Sequence, residues 1–300
     1  MDETLNDNAP VNTKKIRSRK GKVIEAILEA PDTWTLHIEV SPEDRQYLAG
    51  QFISIDPHQF SELSEVIAYL EHVKKRKELV RAYSLASIPS EPHISITTKP
   101  ERFYPEEMQY PPLLSPLLAS NVLKGRELQF LGYTGAYVLP ADHADTTSEV
   151  LHLVAGSGAV PNFALLKEEL TLQKNTSVFH TLIDVNKTYE DIIYQAQLDA
   201  LQEQYPSRFR ILHFLTREEN PERRGSHYFS GRPTAERLRP LIKDPATVLA
   251  FACGAAITKW QKKAAKETGI EAKPRFLESI TQLIQELGID KKRFKKEVYG

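Results

Sequence analysis

EVLHLVAGSGAVPNFALLKEEL, residues 149–170, joins an apolar run to a helix through a glycine-rich turn. Val150 to Ala155 reads as a strand covered on both faces, as in a parallel sheet. Gly156 and Gly158 allow a tight turn whose backbone lies close to a ligand, or serve only the sterics of the turn. Pro161 and Asn162 mark the start of a helix whose positive end suits a pyrophosphate. Three more apolar runs follow, Val178–Val185, Ile211–Leu215 and Val248–Cys253, with helical segments expected over 162–174, 189–204, 233–242 and 258–268. Residues 148–300 therefore predict an open β-α-β-α sheet, in which ligands bind beyond the carboxyl ends of the strands. Those ends carry Asp184-Val-Asn186-Lys187-Thr188, Thr216-Arg217-Glu218 and Cys253-Gly254-Ala-Ala256. Lys187 and Arg217 suit an extra phosphate.

Upstream the rhythm differs. Residues 21–144 are short β-rich segments broken by Pro and Gly, and the alternation of Trp34, Leu36, Ile38 and Val40 predicts antiparallel strands with one face inward and the other in water. A small barrel or sandwich follows. Within it, residues 60–80 hold Leu63, Val66, Ile67, Leu70 and Val73 at helical spacing, which predicts an inserted amphipathic helix ending in the basic run Lys74–Lys77. On the strand Arg81-Ala-Tyr83-Ser84, a cation and an aromatic ring share a face, as a flavin nucleotide would require and as an incidental surface strand also permits. Residues 1–20, rich in Lys and Arg, read as a flexible tail, and Pro140–Ser148 as the linker between the two domains.

Composition narrows the function. Lys plus Arg (39) nearly cancels Asp plus Glu (40), so no global basic field holds nucleic acid, and a charged partner must use a local patch. One cysteine, Cys253, excludes an internal disulfide, a Cys-rich zinc site and a self-ligated iron–sulfur cluster. His152, His180, His213 and His227 are not spaced as ligands, so no metal site is expected. The longest weakly polar run, Ala246 to Ile257, is too short to span a membrane, and the N-terminus lacks a signal-like apolar stretch. A cytoplasmic protein is the expectation.

These residues together resemble the ferredoxin-NADP(H) reductase superfamily across roughly residues 21–300. Arg81, Tyr83 and Ser84 match its R-x-Y-S strand, and Gly50–Ile55 the strand before it. Ser115, Leu118 and Gly125 match its pyrophosphate segment, and Gly132–Gly135 its closing barrel strand. Gly156-Ser157-Gly158-Ala-Val-Pro161 is similar to its G-T-G-I-A-P loop, Asn186–Leu198 to its N-R-T segment, and Thr216-Arg217 to its Ser-Arg pair. Cys253-Gly254 matches its C-G, and Glu297-Val-Tyr299 its acidic–aromatic ending, here followed by Gly300.

The resemblance implies an N-terminal antiparallel FAD-binding β-barrel followed by a Rossmann-like parallel-sheet NAD(P)-binding domain. It implies hydride transfer between NADPH and FAD, with electrons exchanged with an external carrier such as a ferredoxin, flavodoxin or oxygenase. An NADH-dependent reductase component of a mono- or dioxygenase system and a non-catalytic flavin-binding redox sensor are the alternatives. Arg81 and Ser115 are expected at the flavin pyrophosphate, and Tyr83 and Tyr299 on the flavin ring. Ser84, Cys253 and Glu297 are expected at the nicotinamide–flavin contact, and Gly156, Ser157, Gly158, Pro161, Asn186, Lys187, Thr216, Arg217 and Gly254 around the pyridine nucleotide. Two stretches depart from the family pattern: the insertion at 61–79, and Tyr110-Pro-Pro-Leu-Leu114 where glycines usually precede the pyrophosphate serine. The basic runs 74–77 and 291–296 are candidates for steering an acidic carrier, or ordinary solvated faces.

Overall fold

β-Branched and apolar residues alternate along the first strands because one side of each must fill the interior of a closed barrel. In the computed structural model, which describes residues 17–100, 102–105, 108–172 and 177–299, that barrel runs β1 (Arg17–Ala30), β2 (Thr33–Glu39), β3 (Phe52–Ile55), β4 (Arg81–Ser84), β5 (Ile94–Thr98) and β6 (Glu127–Thr134). The strands are ordered β4-β3-β6-β1-β2-β5, all neighbours antiparallel, and a bridge between Leu85 and Ile96 joins the two edges. Leu36, Ile38, Ile53, Ile94, Ile96 and Phe130 form its core. The inserted helix α1 (Ser64–Lys74) lies between β3 and β4, and the short α2 (Ser115–Leu118) precedes β6.

Two expectations change here. Residues 17–20, read as tail, form the start of β1 and pair with β6, with Arg19 bonded to Asp44; residues 1–16 lie outside the described residues. The face of β2 expected in water is covered at its start, where Thr33 and Thr35 are buried, Thr35 bonds Thr97, and Thr97 accepts the hydroxyl of Tyr194 from the second domain, while Glu39 at its end is exposed. A strand face against another domain needs satisfied hydroxyls, which the threonines supply.

After α3 (His143–Thr146) comes a parallel sheet: β7 (Glu149–Ala155), β8 (Phe179–Asn186), β9 (Phe209–Leu215), β10 (Tyr228–Ser230), β11 (Val248–Ala255) and β12 (Phe294–Tyr299), ordered β10-β9-β8-β7-β11-β12. Its helices are α4 (Ala159–Thr171), α5 (Gln195–Gln204), α6 (Ala235–Leu238), α7 (Lys259–Thr268) and α8 (Phe276–Glu286). The fold class is the one expected, an antiparallel barrel followed by a Rossmann-like sheet. The helix predicted over 189–204 is interrupted: a capped turn at Tyr189–Asp191 is followed by buried Ile192, Ile193 and Tyr194, Tyr194 in the left-handed region, before α5 begins. The 162–174 segment starts earlier, at Ala159, directly from the glycine turn. Of its C-terminal end, Lys174 lies outside the described residues.

Candidate active site

The carboxyl ends of β7, β8 and β9 face the barrel strand β4 across a cavity of about 1340 Å³. From the barrel side Arg81, Tyr83 and Ser84 line it, joined by Ser115 at the start of α2. From the sheet side come Gly156 and Ser157, Asn186 and Lys187, and Thr216 and Arg217, while β12 contributes Glu297 and Tyr299. Residues separated by more than two hundred positions thus share one space.

Local structure explains each placement. Gly156 has φ +52 and nothing within 4 Å of where a side chain would begin, so it serves the turn and leaves the backbone open to a ligand. Asn186 donates to Asp184 at 2.9 Å, Asp184 is bonded by His213 at 3.0 Å, and the Asn186 carbonyl accepts both the backbone N–H and the hydroxyl of Thr216. The ends of β8 and β9 are therefore tied together beneath Lys187 and Arg217. Lys99 of the barrel side bridges to Asp191 at 2.8 Å, holding the two domains across the cavity.

At the centre, the Ser84 hydroxyl donates to Glu297 at 3.0 Å. Burial pushes the Glu297 carboxyl above its ordinary range, opposed by that hydrogen bond. Burial likewise pushes the Cys253 thiol well up, with the Glu297 charge adding to it, so Cys253 stays protonated. β12 pairs with β11 so that Cys253 lies opposite Glu297 and Ala255 opposite Tyr299.

Four predicted residues do not reach the cavity wall. Cys253 is fully buried, in a cluster with Phe251 and Tyr137 against which Tyr299 packs. Gly158 is covered because the α4 start lies on the Cys253 carbonyl, and Pro161 is buried within α4. Gly254 lies under the Phe276 ring. These positions shape the wall from behind. The basic runs are also partly structural: Lys74 pairs with Glu78, Arg293 donates to the Val248 carbonyl, and Lys295 donates to the Val138 carbonyl.

The cavity also takes in residues that sequence reasoning missed. Arg232 follows β10, a three-residue strand too short to show periodicity. Trp260 of α7 and Phe276 of α8 also line the cavity. α8 had a readable signal, Leu277, Ile280, Leu283 and Ile284 at helical spacing, all buried. Among the described residues, Lys187, Arg217 and Arg232 are exposed cations on one cavity edge that make no ion pair. No helix among the described residues is long and apolar enough to cross a membrane.

A family model described as the oxidoreductase NAD-binding domain matches residues 153–262. NADH-cytochrome b5 reductase 2 of Coccidioides immitis is 27% identical over 73% of this chain and 61% of its own length. Ferredoxin–NADP reductase of a Synechocystis species is 24% identical over 83% of this chain and 60% of its own length. The chain thus spans about three fifths of these curated relatives. Among solved structures, the flavohem-like FAD/NAD binding domain of nitric oxide dioxygenase from Vibrio cholerae superimposes with a TM-score of 0.66 at 19% identity, covering 94% of this chain and 98% of that one. That likeness concerns the fold.

Proposed function

We propose an FAD-dependent NAD(P)H oxidoreductase of the ferredoxin-NADP(H) reductase-like superfamily that exchanges electrons with a separate carrier, a reading supported by the oxidoreductase NAD-binding match and the reductase relatives. The observation that carries the reading is the single cavity in which Arg81, Tyr83 and Ser84 of the barrel meet the Gly156–Ser157 turn and Arg217 of the parallel sheet. The donor set fits a dinucleotide flavin and a pyridine nucleotide together. Arg81 supplies a cation for a diphosphate, and Tyr83 presents a planar ring. The buried Thr98 hydroxyl, in the same wall, has no partner within the described protein and is available to a ligand.

Bound in this cavity, FAD would supply the capacity to accept a hydride from the nicotinamide and to release electrons singly. The protein's share is placement and proton handling. Arg81 and Ser115 would hold the flavin end, the Gly156 turn and the α4 N-terminus would receive the nucleotide diphosphate, and the Tyr299 ring would lie against the flavin and have to move for a nicotinamide to reach it. Glu297, bonded to Ser84, sits in the interior of the site, where burial raises its proton affinity and suits it to exchange a proton with a bound ligand. Cys253 stays a buried thiol that supports the cavity wall from behind. The three unpaired cations Lys187, Arg217 and Arg232 favour NADPH, whose extra phosphate they match. Lys75, Arg76 and Lys77, together with Lys291, Lys292 and Lys296, are the exposed members of the two basic runs and the candidates for meeting an acidic carrier.

The test is an absorbance spectrum of the purified chain followed by anaerobic addition of NADPH and, separately, NADH. Flavin bands that bleach, faster with NADPH, are the expected result. A flavoprotein that neither donor bleaches refutes hydride transfer, and a chain that takes up no FAD refutes the reading altogether.

A further inference from the structure

The two departures from the family pattern, the insertion at 61–79 and the Tyr110–Leu114 segment, touch each other. Ile67 and Leu70 of α1 form a buried cluster with Leu113, packed by Leu63 and Tyr110. The Lys74 ammonium lies 4.5 Å from the centre of the Tyr110 ring. Tyr110, Leu113 and Leu114 line the cavity immediately before Ser115. The helix that replaces a simple loop between β3 and β4 therefore props the segment that replaces the glycines.

The same helix reaches Arg81. The Glu78 side chain is 0% exposed and accepts from Lys74 Nζ at 2.6 Å and from Arg81 Nη2 at 2.6 Å. Its backbone N–H donates to Glu71 at 2.8 Å, and Glu71 also meets His58 at 2.9 Å, so the turn carrying Glu78 is fixed from both sides. Arg81 additionally donates to the Leu79 carbonyl. Two cations on one buried carboxylate leave a net positive charge at the cavity edge.

We infer that the insertion is a support for the diphosphate clamp. Glu78, braced by Lys74, is a positioning residue that presets the Arg81 guanidinium, and α1 sets the approach of Tyr110–Ser115 to the same group. This rests on the flavin reading proposed above. A preset arginine loses less rotamer freedom on binding, so its contribution is realised as affinity for a diphosphate-bearing ligand. A flavin without phosphate has nothing for Arg81 to hold.

The experiment compares FAD with riboflavin on the full chain freed of flavin, measured by fluorescence quenching. In Glu78→Ala, FAD affinity is expected to fall about tenfold while riboflavin affinity holds; Lys74→Met, which removes the brace on Glu78 and the ammonium over Tyr110 while leaving the Glu78–Arg81 pair, is expected to show a smaller loss of the same selectivity. Should Glu78→Ala fail to fold by circular dichroism, Lys74→Met carries the test alone. Equal losses for both flavins mean a general collapse of the site and overturn the positioning role. Unchanged or increased FAD affinity in a folded variant overturns it as well. If the wild-type chain binds neither flavin, the reading beneath falls and takes the inference with it; if it binds FAD and both variants bind it equally, only the inference falls.

Discussion

A methyl group at Gly158 tests how the nucleotide-binding turn is seated on the sheet. Built on the present backbone, it would lie 2.5 Å from the carbonyl carbon of Cys253, closer still to the carbonyl oxygen, and 3.1 Å from the Gly254 nitrogen. All three atoms belong to the backbone of β11, which is paired on both sides, to β7 and β12. None can swing away as a side-chain tip would, so either α4 lifts off β11 or the strand shifts. Ordinary van der Waals contact needs about 3.4 Å or more, and an overpacked site of this kind costs about 1–3 kcal/mol where side chains yield, and more where only backbone can. Gly158→Ala is therefore expected to destabilise the chain by about 3 kcal/mol, read from the urea midpoint at constant slope. Gly156→Ala provides the control. It meets open space and bears only the strain of a positive φ, expected at about 1 kcal/mol. If Gly158→Ala costs less than Gly156→Ala, the claim that the two glycines serve different ends, one packing and one turning, is wrong.

Other consequences can be measured alongside. Arg217→Ala should reduce the preference for NADPH over NADH about tenfold or more in steady-state kcat/KM, and an unchanged ratio removes Arg217 from the phosphate site. Tyr299→Ser, by opening the flavin face, should tighten binding of the oxidised nicotinamide nucleotide in difference spectra, and unchanged binding rules out displacement of this ring. Burial holds the imidazole of His152 down to a pKa of about 4, against a hydrogen bond to Asn162 that favours the charged form. Its folded pKa is thus below the unfolded one, so the unfolded chain takes up a proton first as pH falls from about 6.5, and stability is lost across that window. This group alone should account for roughly 2–3 kcal/mol between pH 7.5 and pH 4.5. In His152→Gln the urea midpoint should depend less steeply on pH over that range, and an unaltered dependence would clear His152 of the effect.

The β-strands of both domains were legible because their cores impose simple rules. Leu36 and Ile38 alternate into a barrel, and Val150, Leu151, Leu153 and Val154 are buried on both faces of a parallel sheet. What escaped was tertiary. Thr33 and Thr35 look like solvent-facing strand residues and are both buried, the Thr33 hydroxyl donating to the Pro31 carbonyl and Thr35 bonded to Thr97, which accepts the Tyr194 hydroxyl across the domain contact. β10 is three residues long, and β12 is an edge strand whose Lys295, Lys296 and Glu297 hide its apolar face, so neither carries a periodic signal.

The site divides along the same line. Residues that meet the cavity through strand ends, Ser157, Lys187, Thr216 and Arg217, follow from the topology alone, since any parallel sheet delivers its carboxyl ends to one edge. Cys253 does not follow, because whether a strand-end side chain faces the ligand or the layer behind depends on what packs over it, here the start of α4 and Tyr299. The charge run at 74–77 shows why composition cannot separate these cases. Lys74 and Lys75 are neighbours in a run of four basic residues, yet the side chain of Lys74 is 12% exposed and locked on Glu78, while Lys75 ends the helix in the open. A solvated lysine on a long stem contributes little by pairing, whereas one held beside a buried carboxylate neutralises a charge that would otherwise be costly to bury. Removing Lys74 therefore perturbs Arg81 through Glu78, and removing Lys75 does not, although the sequence presents the two as equivalent.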